Sequence, residues 1–145
     1  MKNILVSACL LGEPCRYDGK SKPCERVIAL KGTYNLIPIC PEVMGGLPTP
    51  RTPSEICGER VLMKDGRDVT ENYNRGAQKA LEIARENACT VAILKEKSPS
   101  CGSGLIHNGS FDGGLVEGDG ITTQLLKQNG IRVLGESEIT EDFAP

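Results

Sequence analysis

The sequence has almost no histidine, and its cysteines lack the spacing that builds the commonest zinc and dithiol sites. His107 is the single histidine, and no two cysteines follow the Cys-x-x-Cys pattern. Zinc ribbons and thioredoxin-type redox pairs depend on that pattern. The sequence therefore offers few of the residues that a zinc site or a Cys–His catalytic pair requires. Because His107 lies in a polar, glycine-rich stretch, we expect it at the surface rather than in catalysis.

Long apolar runs and basic clusters are also missing. The chain contains no stretch of about 18 apolar residues, the length that a membrane-spanning helix needs. The net charge is -2, the two signs are interspersed, and basic runs that would indicate a nucleic-acid groove are lacking. Residues 1–3 lead directly into a predicted strand, without a signal peptide. We therefore expect a cytoplasmic protein that binds neither a membrane nor nucleic acid.

Cysteine is the residue type that the sequence has in excess. The count is seven, which is odd, and the sequence contains no secretion signal, so a disulfide framework is not expected. Soft thiolate ligands gathered from distant segments favour an iron–sulfur cluster or zinc. The cysteines are Cys9, Cys15, Cys24, Cys40, Cys57, Cys89 and Cys101. We expect Cys24, Cys57 and Cys89 to be packed, structural thiols.

The order of the predicted elements indicates an α/β fold. Apolar runs at 4–6, 36–39, 91–94 and 131–134 predict four strands, and helices are predicted between them. Strands that alternate with helices form a mainly parallel sheet covered by helices on both faces, a Rossmann-like arrangement. With 145 residues, of which 39% are hydrophobic and 25% charged, we expect one compact domain spanning 1–145.

Helix and turn signals place the remaining elements. A helix is predicted from about Ser21 to Gly32, and a second one follows a capping box of Asp68 and Glu71 and ends near Asn87. Residues 64–66 predict a hairpin turn between strands at 60–63 and 67–69. The segment 102–118 is predicted as an irregular flap. A last helix over 121–128 is predicted to be capped by Asp119. The inner face of the long helix is predicted from Tyr73, Ala77, Ala80, Leu81, Ala84 and Ala88.

The loop after the second strand has the composition of a functional site. Residues 39–51 hold Cys40, Glu42, two glycines, three prolines and Arg51, which favours a rigid loop with almost no room for a helix. Glycines let a backbone approach a ligand closely, and on this basis we assign Gly45 to substrate binding. A tight surface loop with a buried cysteine is the plainer interpretation of the same residues.

Three cysteines follow three different predicted strands. Cys9 comes just after the first strand, Cys40 just after the second, and Cys101 a few residues after the third. Ligands of open α/β sheets bind beyond the carboxyl ends of the strands, so these thiols are predicted to meet at one edge. Three thiolates can hold a 4Fe-4S cluster and leave one iron open to a substrate atom. The sequence leaves open whether Cys15 is a further ligand, a thiol beside the cluster or a reactive group.

Four sequence motifs in order resemble those of the thiouracil desulfidase family. They are residues 7–12 (Ser-Ala-Cys-Leu-Leu-Gly), 15–19 (Cys-Arg-Tyr-Asp-Gly), 40–51 (Cys-Pro-Glu-Val, then Gly-Gly-Leu-Pro-Thr-Pro-Arg) and 98–102 (Ser-Pro-Ser-Cys-Gly). The resemblance covers nearly the whole chain. It implies a 4Fe-4S cluster on Cys9, Cys40 and Cys101, and removal of sulfur from thiolated uracil, a small-molecule substrate, to give uracil and hydrogen sulfide.

The resemblance also implies the catalytic groups. Glu42 is expected to activate water or move a proton, and either Ser98 or Ser100 is expected to stabilise developing charge. Each has a plainer alternative, because Glu42 can form an ion pair with Arg51 and serines beside a proline can serve a turn. Cys15, Arg16, Tyr17 and Asp18 are expected to line the substrate pocket. The alternative is that Arg16, Tyr17 and Asp18 only lock the first loop.

Two other function classes compete with a desulfidase. In a phosphatase- or arsenate-reductase-like enzyme, Cys9 would be the nucleophile and Arg16 the anion clamp. The segment between them, 10–15, is one residue longer than such enzymes use. A non-catalytic metal or cluster carrier explains the thiols but leaves Glu42 and the serines without a role. Cluster content separates the first rival from a desulfidase, and release of sulfide separates the second.

Overall fold

The structure is a computed structural model that describes residues 1–144. This part of the chain contains eight strands and four α-helices. The strands are β1 (Asn3–Ser7), β2 (Asn35–Ile39), β3 (Ser54–Cys57), β4 (Arg60–Met63), β5 (Val91–Leu94), β6 (Leu105–His107), β7 (Leu115–Glu117) and β8 (Arg132–Gly135). The helices are α1 (Glu25–Ile28), α2 (Pro41–Met44), α3 (Thr70–Glu86) and α4 (Ile121–Gln128).

A four-stranded parallel sheet forms the centre of the fold. Its strand order is β2-β1-β5-β8, and all three strand pairs are parallel. The apolar runs of β1 and β5 are buried almost throughout, as expected for strands covered on both faces. The predicted Rossmann-like sheet of about four strands is confirmed, with strand bounds within a residue of those expected.

Alternate residues of β1 point to opposite faces of the sheet, and each face has its own core. Leu5 packs with residues of α3 and α4, whereas Ile4 and Val6 pack with Val27 of α1 and with Ile139 near the end of the chain. Helices therefore cover both faces, as predicted. No helix within residues 1–144 combines the length and the apolar character that crossing a bilayer requires.

All three predicted helices are present, but two of them differ from the prediction at their ends. The first is only one turn of α-helix (α1), continued by a 3-10 segment, Ala29–Gly32. The long helix α3 starts at Thr70, whose N–H and hydroxyl both donate to Asp68, so the predicted capping box with Glu71 does not form. Ala88, assigned to the buried face of α3, lies beyond its end with φ 50 and is exposed.

Two short antiparallel hairpins differ from the sequence prediction. The strand predicted at 60–63 is present as β4, but it pairs with β3 and not with 67–69. Within 67–69, only Asp68 forms a β-bridge, and its partner is Leu62. The segment predicted as an irregular flap contains the pair β6–β7.

The helix α4 has the predicted bounds. Asp119 does not cap it, because its carboxylate accepts hydrogen bonds from Gly104 and Lys127 instead.

The one-turn helix α2 lies directly against α3, in a loop for which no helix was predicted. Pro41 is at its first position, where a proline costs no hydrogen bond. A Cβ on Gly45 would overlap the backbone carbonyl of Asn72, and a Cβ on Gly76 would overlap that of Pro41. The backbones of α2 and α3 can therefore touch only through glycine. The packing fixes where the chain around Cys40 stands relative to α3.

Candidate active site

A cavity of about 380 Å³ opens beyond the carboxyl ends of β1, β2 and β5. This volume is in the range of small-molecule sites. The position is the one at which open parallel sheets bind ligands. Its walls come from the segments that follow these three strands, from the β3–β4 hairpin and from the loop between β6 and β7.

Three cysteines from three strand ends line this cavity. Cys9 lies in the 3-10 turn that follows β1, Cys40 is the residue before α2, and Cys101 is in the turn after β5. Cys9 and Cys101 are buried and Cys40 is half-buried. The structure thus brings together the thiols predicted from the sequence. Their role as metal ligands stays a prediction.

Cys15 lies among the same thiols and also lines the cavity. The Cys40 thiol is 3.7 Å from the Cys15 carbonyl oxygen, to which it donates. A hydrogen bond with the Cys40 thiol by itself lowers the pKa of the Cys15 thiol, but the bond with Cys9 and burial outweigh it and raise this pKa to about 11. Cys24, Cys57 and Cys89 are not part of the cavity wall.

The thiols of Cys40 and Cys101 are also held in the neutral form. The hydrogen bond with Cys15 and burial raise the pKa of Cys40 far above its ordinary value. Burial raises the pKa of the Cys101 thiol to about 12. Thiolates at these positions therefore need a nearby positive charge, which bound iron provides.

The donor set fits an iron–sulfur cluster better than a single ion. Within residues 1–144, no three His, Cys, Asp or Glu side chains are arranged to hold one metal ion. A cubane cluster binds each cysteine through a different iron, so its ligands stand further apart than those of one ion. Cys9, Cys40 and Cys101 supply three thiols on the wall of one cavity, which is the chemistry that such a cluster requires.

Glu42 lies on the cavity wall, held by two donors. Its Oε1 accepts a hydrogen bond of 2.6 Å from the Tyr73 hydroxyl and one of 3.2 Å from Arg51 Nε. Within the described residues, Oε2 has no hydrogen-bond partner. The side chain is 18% exposed, so the two donors orient the carboxylate while its second oxygen is left for a ligand.

Arg51 joins three segments of the site. Besides Glu42, its guanidinium donates to the Cys15 carbonyl oxygen at 3.0 Å and to Pro48 and Thr49. The side chain is only 2% exposed. The ion pair with Glu42 that the sequence offered as a plainer alternative is present. It does not exclude a catalytic role, because it uses only one carboxylate oxygen.

The two candidate serines have different surroundings. Ser98 lines the cavity, and its Oγ accepts hydrogen bonds from the N–H groups of Ser100 and Cys101. Ser100 is 0% exposed, is not part of the cavity wall, and shares a hydrogen bond of 2.7 Å with Thr122. This position does not support Ser100 as a catalytic group, since its hydroxyl is sealed in the interior.

Of the residues predicted to bind the substrate, some lie on the cavity wall and others do not. Arg16 and Tyr17 line the cavity, with the Arg16 guanidinium 5.8 Å from the centre of the Tyr17 ring. Asp18 is not on the wall and instead pairs with Arg16 at 3.7 Å and accepts from the Lys20 N–H. Gly45 is not on the wall either, because its role is the contact with Asn72 described above.

Several wall residues were not predicted. Glu55, Lys95, Glu96 and Phe111 line the cavity, and Tyr73, treated as a core residue, orients Glu42. His107, expected at the surface, lies on the wall with its Nδ1 buried and without a hydrogen-bond partner in the described part of the chain. No local pattern marks these residues, since hairpin pairing and side-chain packing bring them to the cavity.

The comparison with known proteins decides the family. A family model described as 2-thiouracil desulfurase matches residues 4–138. The chain belongs to this family. A member of the fold with a solved structure, named [4Fe-4S]-dependent thiouracil desulfidase TudS, is 48% identical, with a TM-score of 0.88 over 96% of this chain and 93% of that one. The uncharacterized protein YbbK of Bacillus subtilis (strain 168) is 44% identical over 95% of this chain and 98% of its own.

Membership of the 2-thiouracil desulfurase family confirms the resemblance seen in the four sequence motifs. The match to the desulfidase structure also confirms the α/β fold class independently of the strand pattern. The matched span includes Cys9, Glu42, Ser98 and Cys101, the residues on which the predicted chemistry depends.

Proposed function

We propose that the protein is a 4Fe-4S-dependent desulfidase. It converts a thiolated uracil, or a related thiolated base, and water into the oxygen analogue and hydrogen sulfide, without net redox change. The observation that carries this proposal is that Cys9, Cys40 and Cys101 line the cavity that also presents Glu42. The [4Fe-4S]-dependent thiouracil desulfidase whose structure is 48% identical supports the cofactor and the substrate class.

Cys9, Cys40 and Cys101 would hold the cluster. When bound, it supplies an iron with an open coordination position, a Lewis acid toward the thiocarbonyl sulfur. We further propose that residues 1–145 work as one domain in the cytoplasm. The free cysteines of the described chain support that location, because thiols persist in reducing compartments.

Glu42 acts as the general base. Its Oε2 takes a proton from the water that attacks the ring carbon, while Tyr73 and Arg51 hold Oε1. That proton and the second proton of the water, which is lost as the ring carbonyl forms, both go to the departing sulfur, so that it leaves as hydrogen sulfide. Because both donors bind the same oxygen, the base keeps its orientation through the reaction.

Ser98 acts as a hydrogen-bond donor rather than a nucleophile. Its oxygen already accepts two backbone N–H groups, at 3.1 Å each, so its lone pairs are engaged and its O–H is the group left for the substrate. A donor placed in this way stabilises negative charge that develops on the reacting carbon's substituents.

Separate alanine variants of the two serines test this assignment. Ser98→Ala is expected to lower kcat per loaded cluster about 100-fold, the effect of losing one preorganised donor. Ser100→Ala is expected to leave kcat nearly unchanged but to destabilise the fold by about 1 to 3 kcal/mol, because Thr122 loses its buried partner. The measurements are sulfide release normalised to iron content, and thermal unfolding.

A matched substitution controls for the turn that Ser98 supports. Ser98→Thr retains the hydroxyl and its bonds to the N–H groups of Ser100 and Cys101, so it is expected to keep most of the activity. Equal losses of kcat in the Ser98→Ala and Ser100→Ala proteins, at equal iron content, would contradict the different roles assigned here.

The experiment that tests the function is reconstitution followed by turnover. Anaerobically reconstituted protein is expected to contain about four irons and four acid-labile sulfides per chain. It is then expected to release sulfide from 2-thiouracil or 4-thiouracil and to form uracil in equal amount. A loaded cluster without sulfide release from any thiolated pyrimidine would favour the cluster-carrier alternative. A folded protein that takes up no iron would refute the desulfidase.

A further inference from the structure

The loop between β6 and β7 contributes to the wall of the cavity that the three cysteines line. It contributes Phe111 and Gly113 to the wall, and His107 at the end of β6 contributes as well. Phe111 is partly exposed. In the described chain the one aromatic pair is Tyr34 with Phe143, so the ring of Phe111 has no aromatic neighbour.

The backbone of Phe111 is held in an unfavourable conformation. Its φ is 56, and the other non-glycine residues with positive φ in the described chain are Ala88 and Lys97. Ala88 follows the end of α3, where such a conformation is common, whereas Phe111 and Lys97 are both on the cavity wall. Strained residues persist where the surrounding structure imposes them, and they concentrate at binding sites.

Glu55 holds the backbone of this loop at Phe111 itself. It is a carboxylate only 8% exposed, and its Oε1 accepts the N–H groups of Gly109 at 2.9 Å and Phe111 at 3.2 Å. Cys57 donates to the Gly109 carbonyl oxygen at 3.4 Å. A Cβ on Gly109 would stand 2.7 Å from the Ile56 carbonyl oxygen, so the loop is pressed against β3.

We propose that Phe111 is the surface against which the planar ring of the substrate stacks, and that Glu55 is the positioning residue that keeps Phe111 in the cavity. The inference rests on the proposed function, since it supplies the ring-binding part of the same site. A buried carboxylate with two backbone donors would be a costly way to place a loop that had no ligand to meet. A stacking surface also selects flat heteroaromatic rings over aliphatic thiocarbonyl compounds.

The test compares ring binding with turnover in the cluster-loaded protein, with uracil as the ligand and the 4-thio derivative of uracil as the substrate. Phe111→Leu keeps the apolar bulk but removes the ring. We expect it to raise the Kd for uracil, measured by calorimetry, and the KM for the thiolated substrate about tenfold, the effect of losing one base–aromatic stack. We expect kcat to change less than about threefold. Phe111→Tyr retains the ring and is expected to behave like the unmodified protein.

Glu55 is tested by two substitutions. Glu55→Ala removes the acceptor and is expected to reproduce the Phe111→Leu increase in Kd and KM. Glu55→Gln keeps an oxygen that accepts both N–H groups and is expected to restore near-normal values. If Glu55→Gln raises the Kd for uracil and the KM as much as Glu55→Ala does, the charge of Glu55 acts directly on the substrate and the positioning role is overturned. Leu115→Ala, on the same hairpin at an exposed position outside the wall, is the control.

The outcomes separate this inference from the proposed function. If the unmodified protein releases no sulfide from thiolated pyrimidines, the proposed function fails whatever uracil binding shows. If it does release sulfide and Phe111→Leu leaves both the Kd for uracil and the KM unchanged, the stacking inference fails and the function stands. Circular dichroism and iron content identify a variant that has failed to fold. In that case the difference in Kd and KM between the Phe111→Tyr and Phe111→Leu proteins still tests the stacking inference.

Discussion

Replacing Cys9, Cys40 or Cys101 by serine, one at a time, is expected to abolish cluster retention and sulfide release. Each residue supplies one of the three thiols on the cavity wall that the structure brings together from different strand ends. A serine hydroxyl is a far weaker ligand for iron than a thiolate. Iron and acid-labile sulfide are expected to fall from about four of each to near zero.

Cys24→Ser and Cys15→Ser are the informative comparisons. Cys24 packs against the core and is not on the cavity wall, so its replacement is expected to leave iron content unchanged. Cys15→Ser is expected to keep the cluster, because three ligands already account for it. Loss of iron in the Cys15 variant as complete as in the Cys9 variant would make Cys15 a fourth ligand and close the open iron position. Iron retained in any of the three ligand variants would remove that residue from the set.

Glu42→Gln is expected to lower kcat by at least about 100-fold while iron content stays the same. The amide oxygen of glutamine still accepts hydrogen bonds from Tyr73 and Arg51, so the side chain keeps its position. It can no longer take a proton from water, and general-base catalysis contributes about 100-fold or more. Initial rates of sulfide release per loaded cluster give the comparison.

Glu59→Gln is the matched control for Glu42, since Glu59 is an exposed carboxylate on the turn between β3 and β4. It is expected to have no effect on the rate. Tyr73→Phe removes one of the two donors and is expected to cause a smaller loss than Glu42→Gln, because Arg51 still holds the carboxylate. A Glu42→Gln protein with more than about a tenth of normal kcat would exclude Glu42 as the base.

The meeting of the cysteines could be predicted because it follows from chain direction alone. Parallel strands end at the same edge, so residues just after them in the sequence become neighbours in space. Cys9, Cys40 and Cys101 required only that three apolar runs be recognised as strands. The same rule placed Glu42 beside them, two residues after Cys40.

Residues brought in by packing could not be predicted in this way. Tyr73 has the spacing of a helix core position, and nothing in the sequence indicates that its hydroxyl meets Glu42 across two elements. Glu55 belongs to β3, whose partner β4 was assigned to another segment, so its contact with the β6–β7 loop was hidden. Both depend on contacts between elements whose alignment only the folded structure shows.

Ser100 and Gly45 show where local chemistry misleads. The segment Ser98-Pro99-Ser100 offers two similar hydroxyls, and only the position of Thr122 on α4 shows that one of them faces the interior. Gly45 belongs to a loop with the composition of a ligand-binding site, yet the absence of a side chain at Gly45 makes room for the carbonyl of Asn72. In each case the deciding neighbour is distant in sequence.

The origin of the cysteines in three separate strand ends affects how the enzyme is made and repaired. None of Cys9, Cys40 and Cys101 neighbours another along the chain, so a newly synthesised chain has no preformed metal-binding segment, and the sheet must assemble first. We therefore expect iron and sulfide to enter a chain that is already folded, through the cavity mouth. We expect the sheet to stay folded when oxygen destroys the cluster, because apolar side chains make up most of the core on each of its faces. Such a protein can be reloaded instead of being degraded.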